Sequence, residues 1–382
     1  MSETFRTYQQ RGYLSRRGCQ RLNQVLAECT DLYNAELQLW RQQYKETGKS
    51  DSLFERMKAF TVTRNSDPFW GSVSVDVGRG VLIRMEEARK AFYRRCQAGE
   101  EPGFPRFKPY HRYRTVQIEQ PTPAMVRLDS LGYAVRIKGL PVVRLRTKRS
   151  LPPAANLKTI RVTFRGRRPS VCLTYAVELE PLPPSSDGIG LDMGILHRIT
   201  TSEGEKIERR RPDREDIARK QRRLSACEKG SNRFRRRRRV LANAHDRARV
   251  RDRNRCHEIT TDLVRRFGFI ALEDLDKPKL TRSDGARKRG LNRAILEQTW
   301  GRITQQLIYK AESAGRELVF VDPRYTSQRC SSCGAMVKKG LKERRHVCGC
   351  GLDLDRDHNA ALNILYKALA GGVFPAAAGE AA

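Results

Sequence analysis

Residues 330–365, CSSCGAMVKKGLKERRHVCGCGLDLDRDHNAALNIL, contain the pattern that decides the fold of the last part of this chain. Two tight cysteine pairs, Cys330-x-x-Cys333 and Cys348-x-Cys350, are separated by fourteen residues. Short pairs of this kind bring four thiolates together tetrahedrally, and Zn²⁺ is the common ion for that ligand set in a reducing cell. The spacing therefore predicts a zinc ribbon. Its zinc is structural, because four thiolates leave no open position for chemistry.

Two different interpretations remain open for this cysteine cluster. The second pair is one residue shorter than the usual spacing, so His346 is a possible substitute ligand, although Cys350 is favoured. The four thiols could also be unliganded or form a redox pair. The other six cysteines are scattered through mostly apolar patterns, and we interpret them as small buried hydrophobic residues. They are Cys19, Cys29, Cys96, Cys172, Cys227 and Cys256.

Three acidic residues lie where a carboxylate is costly without a purpose. Asp192 closes the apolar strand in GIGLDMG, Glu273 closes the strand in FGFIALEDL, and Asp357 lies just ahead of an apolar helix. Carboxylates that converge from two strand ends and a helix start repel one another unless cations hold them. Two Mg²⁺ ions would do so, and such a pair drives in-line phosphodiester hydrolysis. Taken singly, the three residues could instead be a turn cap, a surface residue and a helix N-cap.

The overall charge indicates a polyanionic partner. The chain has 382 residues, enough for two to four domains, and 76 Lys and Arg against 43 Asp and Glu give a net charge of +33. Nucleic acid is the usual partner for such a surplus, with an anionic membrane surface as the alternative. No run of about 18 apolar residues is available to span a bilayer. The opening MSETFRTYQQ lacks the apolar region of a signal peptide.

The periodicity of apolar residues divides the chain into three parts. Helical spacing over 14–40 and 81–96 predicts a small helical domain, and alternation in the following part predicts half-buried antiparallel strands, as in a small barrel. After the break PLPPSS, strands and helices alternate. The predicted strands are 133–137, 160–164, 171–179, 188–191, 269–272 and 318–321. The predicted later helices are 214–267 with a break near Gly230-Ser231, an amphipathic helix over 295–311, and 359–369, with a loop over 274–290.

Basic residues form two candidate nucleic-acid contacts. The first is an arginine run that either binds phosphates or is a solvated helix face, and we favour phosphate contact. In the second, Phe104, Phe107, Tyr110 and Tyr113 interleave with basic residues, as suits stacking on RNA, although a barrel core with surface charge explains the pattern equally well. The candidate basic residues are Arg233, Arg235, Arg236, Arg237, Arg238, Arg239, Arg106 and Lys108.

Several of these motifs together resemble the TnpB family, transposon-encoded relatives of the type V CRISPR effectors. YTSQRCSSCG and DRDHNAALNIL resemble its C-terminal signature, while GIGLDMGI and FIALEDL resemble its first and second RuvC motifs. KQRRLSACEKGSNRFRRRRRVLANAH resembles the basic helices between them. The family's segment before the ribbon is similar to TWGRITQQLIYKAESAGRELVFVDP. Its N-terminal half is similar to GFPRFKPYHRY. The resemblance covers nearly the whole chain and is firmest from Gly188 to Leu365.

The resemblance implies a multidomain α+β fold. An RNase H-like (RuvC) nuclease core is split by the zinc ribbon, and it follows an oligonucleotide-binding-type β-barrel, the wedge, that is interrupted by a helical recognition domain. The implied boundaries are 1–13 and 106–184 for the wedge, 14–105 for the helical domain, 187–325 and 351–369 for the nuclease, and 326–350 for the ribbon. We expect residues 370–382, rich in Ala and Gly, to be disordered.

By the same resemblance, the catalytic and magnesium-binding residues are Asp192, Glu273 and Asp357. The family pattern Asp-x-Asn-Ala favours Asp357 over its neighbours Asp353 and Asp355, because Asn359-Ala360 follow it. The departures from the family pattern are small: Met193 stands where Leu or Val is commoner, and the second cysteine pair is short.

The implied function is RNA-guided cleavage of double-stranded target DNA. The guide RNA derives from the transposon end, the chain recognises a short motif beside the target, and the protein is prokaryotic, cytoplasmic and nucleoid-associated. A miniature type V CRISPR effector shares every motif. A nuclease-silent RNA-guided regulator and a strand-transferring transposase are two further hypotheses for the same set of motifs.

Overall fold

The computed structural model describes residues 4–147, 149–165, 168–179, 181–208, 213–276, 288–340 and 343–371. The chain divides into two compact units, Met1–Glu178 and Leu179–Ala382. Most of the predicted tail, from residue 372 onward, and most of the predicted loop over 274–290 lie outside the described residues. Within the described part of the chain, no helix combines the length and apolarity needed to cross a membrane.

Among its described residues, the first unit combines one antiparallel sheet with four α-helices. Its elements in chain order are β1 Thr4–Tyr13, α1 Arg16–Thr47, α2 Leu53–Ser66, α3 Pro68–Gly71, α4 Val75–Gln97, β2 Thr115–Glu119, β3 Val126–Asp129, β4 Gly132–Val135, β5 Val143–Leu145, β6 Leu157–Phe164 and β7 Pro169–Val177. The sheet order is β2-β6-β7-β1-β5-β4-β3. All four helices therefore lie, in sequence, between the first strand and the other six. The predicted antiparallel strands are present, although two of them end earlier than predicted, at Val135 and Val177.

The helices of this unit extend beyond the predicted ranges. The first continues to Thr47, where Gly48 ends it with a left-handed φ of 66°. Helices α2 and α3 occupy a segment for which no helix was predicted. Only Arg56 and Phe60 of α2 are buried, so the segment lacks a strong apolar stripe. A local signal was nevertheless present, because Ser52 and Glu55 form a capping box at the start of α2.

The second unit contains a mixed five-stranded sheet, a small hairpin and five helices among its described residues. In chain order they are β8 Gly188–Asp192, β9 Ile199–Thr201, β10 Lys206–Ile207, α5 Arg214–Ser225, α6 Asn232–Arg266, β11 Phe269–Glu273, α7 Lys288–Gln298, α8 Trp300–Ala314, β12 Glu317–Val321, β13 Arg345–Val347, β14 Asp353–Asp355 and α9 Arg356–Leu369. The predicted break at Gly230-Ser231 is confirmed, since it separates α5 from α6. The prediction of one continuous amphipathic helix over 295–311 was wrong, because Thr299, with a φ of 59°, separates α7 from α8.

Helices cover both faces of the central sheet, whose order is β10-β9-β8-β11-β12. Strand β11 pairs in parallel with β8 and with β12. Alternate residues of β11 point to opposite faces. Ile270 and Leu272 join the core with Leu263 of α6 and Ile303 of α8, whereas Ala271 packs with residues of α9. The long arginine-rich α6 and the C-terminal α9 are therefore connected through one sheet.

The cysteines outside the ribbon are only partly buried. Cys29 and Cys256 are buried, as predicted, but the prediction was wrong for Cys96, which is exposed near the end of α4. All ten cysteines lie within the described residues, and none of them forms a disulfide bond there.

Gly190 in β8 allows α9 to approach the sheet closely. A Cβ at this position would lie 2.1 Å from the backbone oxygen of Ala361. We expect Gly190→Ala to lower the free energy of unfolding by about 1–3 kcal/mol or more, because backbone must move to admit the methyl group. Gly188→Ala is the matched control in the same strand, since its Cβ would meet Leu365 Cδ1 at an ordinary 3.4 Å. Urea unfolding of both variants measures the difference, and equal stabilities would contradict the packing argument.

Candidate active site and metal centre

Asp192 and Glu273 lie side by side at the end of two neighbouring strands. Strands β8 and β11 are parallel, and Leu191 is paired with Leu272. The next residue of each strand is the acidic one, and each is its strand's last residue. Because adjacent strands are about 4.8 Å apart, the two carboxylates share one edge of the sheet.

Asp357 joins them from the first turn of α9, which packs on β8 and β11. The side chain of Asp355 accepts hydrogen bonds from the backbone N–H groups of Asp357 and His358, so Asp355 is the N-cap and Asp357 is free of that role. A Cβ at Gly194, in the loop after β8, would lie 3.7 Å from Asp357 Oδ2. The third acid therefore borders the same loop that follows Asp192.

Burial is the main reason that the pKa values of Asp192 and Glu273 are raised. Burial raises the pKa of Asp192 well above its usual value, and the nearby carboxylates of Glu273 and Asp357 raise it further, against an opposing effect of Arg356. Burial also raises the pKa of Glu273, although a 2.5 Å hydrogen bond from the Thr326 hydroxyl and the charge of Lys367 oppose this. Carboxylate oxygens are the ligand type that Mg²⁺ binds, so the chemistry of these residues suits a divalent cation.

The neighbouring aspartates Asp353 and Asp355 are already paired with basic side chains. Arg345 donates to Asp353 and lowers its pKa. Burial opposes ionisation of Asp355, but hydrogen bonds from Lys206 and from two backbone N–H groups lower its pKa. The Lys206 Nζ to Asp355 Oδ2 distance is 2.7 Å. These two carboxylates therefore differ from Asp192 and Glu273, whose pKa values are raised.

We expect Asp192→Asn to raise the thermal stability of the protein when it is measured in the absence of divalent cations. The folded-state pKa of Asp192 is raised, so its stabilising contribution is complete below the unfolded pKa of about 3.9 and is lost as the pH rises through the folded pKa. Asparagine stays neutral and avoids this loss. The melting temperature at pH 7.5 should rise by about 2–4 °C for each kcal/mol that burying the charged carboxylate and its repulsion from the other acids had cost. Asp353→Asn is the control, because its exposed carboxylate is paired with Arg345; an equal rise there would contradict the argument.

The four ribbon cysteines form the second candidate metal site. Their Sγ atoms all lie within 4.8 Å of one another, with 3.7 Å between Cys330 and Cys350 and 3.5 Å between Cys333 and Cys348. Four sulfurs about 2.3 Å from a common zinc ion in a tetrahedron would be about 3.8 Å apart. The predicted ligand set therefore fits zinc. His346, the predicted substitute ligand, is buried beside Lys339 and is not part of this set.

Sequence patterns did not predict the polar residues that support the carboxylates. Thr326 hydrogen-bonds to Glu273, and the buried Lys367 donates to the backbone of Asp322 while its charge acts on Glu273. Asn359 and Asn363 are almost completely buried. Their one detectable signal was an i, i+4 pair of asparagines on the apolar face of a helix.

The predicted nucleic-acid residues differ in accessibility. Most of the arginine run on α6 is exposed, while Arg237 is half-buried and donates to the backbone oxygen of Arg223 on α5. The exposed members are Arg233, Arg235, Arg236, Arg238 and Arg239. Arg106 is also exposed. Lys108 points inward, with its Nζ 3.5 Å from the centre of the Tyr33 ring, and burial lowers its pKa to about 8.

The aromatic side chains of that second segment also differ in burial. Phe104 stacks on Trp40 with ring centres 4.7 Å apart, and Tyr113 is buried, so both belong to the core of the first unit. Phe107 and Tyr110 are exposed.

Comparison with known families and proteins agrees with these features. Residues 170–284 match the model of a probable transposase family, OrfB_IS605, and residues 300–364 match the TNB domain of Cas12f1-like proteins. Among solved structures, the Cas12f1 chain of a complex with single guide RNA and target DNA has a TM-score of 0.56 at 12% identity, covering 95% of this chain and 98% of that one. This likeness shows a shared fold.

Curated relatives show the family. A protein of Streptomyces pristinaespiralis, named as a candidate RNA-guided DNA endonuclease, is 37% identical over 59% of this chain, which spans only 56% of that relative. InsQ of Escherichia coli, named in the same way, is 30% identical over 74% of this chain and 72% of its own length. On the strength of that match, the chain belongs to the TnpB family.

Proposed function

We propose that this chain is a transposon-encoded, RNA-guided DNA endonuclease that hydrolyses target DNA at Asp192, Glu273 and Asp357. The observation that supports this most directly is the position of Asp192. Burial raises the pKa of its carboxyl group well above the usual value, and the charges of Glu273 and Asp357 raise it further. A fold that retains such repulsion without a cation is less stable than it need be, as is common at functional sites. The names of the curated relatives support the nuclease assignment.

We propose that the second unit is an RNase H-like (RuvC) nuclease, comprising 187–325 and 351–369, with the zinc ribbon over 326–350. The parallel strands β8, β11 and β12, with β9 and β10 antiparallel beside them, support this assignment. For the first unit we propose a wedge barrel, 1–13 and 106–184, interrupted by a helical recognition domain, 14–105. The insertion of all four helices between β1 and the other strands supports it.

In the proposed reaction the three carboxylates would hold two Mg²⁺ ions. Such a pair would supply activation of a water molecule and stabilisation of the leaving 3′-oxygen. The chain's own residues position the ligands. Thr326 donates to Glu273 Oε1 and limits its rotation, and Lys367 and Arg356 add positive charge that offsets part of the repulsion between the acids. Asp357 lies in the first turn of α9, where the helix dipole favours an anion.

The proposed partners are a guide RNA from the transposon end and double-stranded target DNA next to a short recognised motif. The net charge of +33 and the exposed arginines of α6 support a polyanionic partner. The structurally similar Cas12f1 was solved in complex with single guide RNA and target DNA, which supports the same two classes of partner here. A type V CRISPR effector would use the same site, and the genomic neighbourhood, a repeat array or a transposon end, distinguishes the two.

The test is to express the full chain with its flanking locus and to sequence the RNA that co-purifies. We expect an RNA from the transposon end and Mg²⁺-dependent cutting of a plasmid that contains a matching target. Co-purifying RNA and target binding without cutting would instead favour the nuclease-silent regulator. Absence of both RNA and cutting would refute the proposal.

A further inference from the structure

Two buried asparagines lie on α9, one turn apart. Asn359 has no exposed surface and Asn363 is 2% exposed, while their helical neighbours Ala360 and Ile364 are apolar. An amide in such a position is costly unless it is hydrogen-bonded. The partners of these two amides therefore indicate why they are there.

Both asparagines bind the backbone of the first zinc knuckle and the segment before it. The Ser331 N–H donates to Asn359 Oδ1 at 3.0 Å, and Asn359 Nδ2 donates to the Arg329 oxygen at 2.8 Å. Asn363 Nδ2 donates to the oxygens of Arg329 and Thr326, at 2.7 and 2.8 Å. Arg329 and Ser331 flank Cys330, so α9 holds the chain on both sides of the first zinc ligand.

The same segment reaches the carboxylates by two routes. Thr326, whose backbone oxygen binds Asn363, donates through its hydroxyl to Glu273. Asn359 is two residues from Asp357 on α9, and that helix is capped by Asp355. Asp355 in turn belongs to β14, which pairs with β13, the strand of the ribbon that ends next to Cys348.

We propose that Asn359 and Asn363 are positioning residues that couple the zinc ribbon to the carboxylate cluster, so that an intact ribbon sets the affinity of the cluster for divalent cations. The proposal rests on the proposed function only in taking the cluster to bind such a cation. Residues that orient metal ligands without touching the metal commonly change its affinity by about 10–100-fold when replaced. The contacts also imply reciprocity: occupancy of either metal site favours the other.

The test measures Mn²⁺ binding to the full-length protein by electron paramagnetic resonance, with zinc content determined on the same samples. We expect Asn359→Ala and Asn363→Ala each to weaken Mn²⁺ binding by about tenfold or more while retaining zinc. Raising the Mg²⁺ concentration should then recover DNA cutting. Asn34→Ala is the matched control, because Asn34 also makes two hydrogen bonds to the backbone of one residue, Lys108, but in the first unit. Its Mn²⁺ affinity should equal that of the wild type.

The possible outcomes separate this proposal from the proposed function. Mn²⁺ binding that is present in the wild type, absent in Asp192→Ala and weakened in both asparagine variants supports the coupling. Wild-type affinity in the asparagine variants overturns it. Loss of zinc together with Mn²⁺ also overturns it, because the asparagines would then hold the ribbon itself. If the wild-type protein shows no Mn²⁺ binding that depends on Asp192, the proposed metal site fails first.

Discussion

Asp192→Ala is expected to reduce target cleavage by about 10³-fold or more while leaving RNA binding unchanged. Asp192 is the central member of the cluster, since Glu273 and Asp357 both act on its pKa. Without it the cluster loses one of three anionic ligands. The transition-state stabilisation that metal ions supply is worth several kcal/mol, and about 1.4 kcal/mol corresponds to a factor of ten in rate. Single-turnover cleavage of a guide-matched plasmid measures the loss, and filter binding measures the RNA affinity.

Asp187→Ala provides a control for this experiment with the same change in charge. Asp187 is exposed and immediately precedes β8, so it lies at the opposite end of the strand that Asp192 closes. Its hydrogen bonds to Gly268 and Phe269 use the backbone oxygen, which alanine keeps. We expect normal cleavage from this variant. Cutting by Asp192→Ala at the rate of Asp187→Ala would show that the carboxylate cluster is not the active site.

Cys350→Ser is expected to remove the zinc and to abolish cleavage. The Cys350 sulfur lies 3.7 Å from that of Cys330, and a serine hydroxyl is a poor replacement for a thiolate ligand. The free energy of zinc binding, about 10–16 kcal/mol for small zinc-dependent folds, is also folding free energy of the ribbon. The loss should extend to the acids, because Asn359 and Thr326 connect the ribbon segment with α9 and Glu273. Metal analysis and thermal unfolding measure the first effect, and plasmid cleavage the second.

Two variants make the zinc experiment specific. Cys96→Ser replaces an exposed thiol in the first unit and should keep both zinc and activity. His346→Gln tests the substitute fourth ligand, and it should also retain zinc because His346 lies outside the four-sulfur cluster. Zinc retained by Cys350→Ser but lost from His346→Gln would reverse the assignment of the fourth ligand.

Local patterns in the sequence predicted the elements whose causes are local. The cysteine pairs predicted the sulfur cluster because short spacings bring thiols together with little help from the rest of the fold. Gly230 and Ser231 predicted the break between α5 and α6 because a glycine with φ of 89° and a serine N-cap both act within a few residues. Helix α2 was missed because it buries little surface, although its capping box was present.

Contacts between distant segments were beyond the reach of those patterns. Leu191 and Leu272 are 81 positions apart, and only the parallel register of β8 and β11 brings Asp192 and Glu273 to one edge. The choice of Asp357 over Asp355 came from resemblance. The structure adds a physical reason for that choice, since Asp355 caps α9 and is paired with Lys206. For Lys108 the structure did not support the prediction. This basic residue in a basic segment was expected to contact nucleic acid, but its side chain turns inward onto the Tyr33 ring.

By itself the sequence predicted the four-cysteine cluster and most of the strands and helices, because each depends on spacing along the chain. It also offered the three acidic positions as candidates, the last of them chosen by resemblance. Only the tertiary structure decided what surrounds those acids. The raised pKa of Asp192, the hydrogen bond from Thr326 to Glu273 and the two asparagines between ribbon and helix all depend on burial and on long-range contacts. A single sequence does not record which residues are neighbours across the sheet.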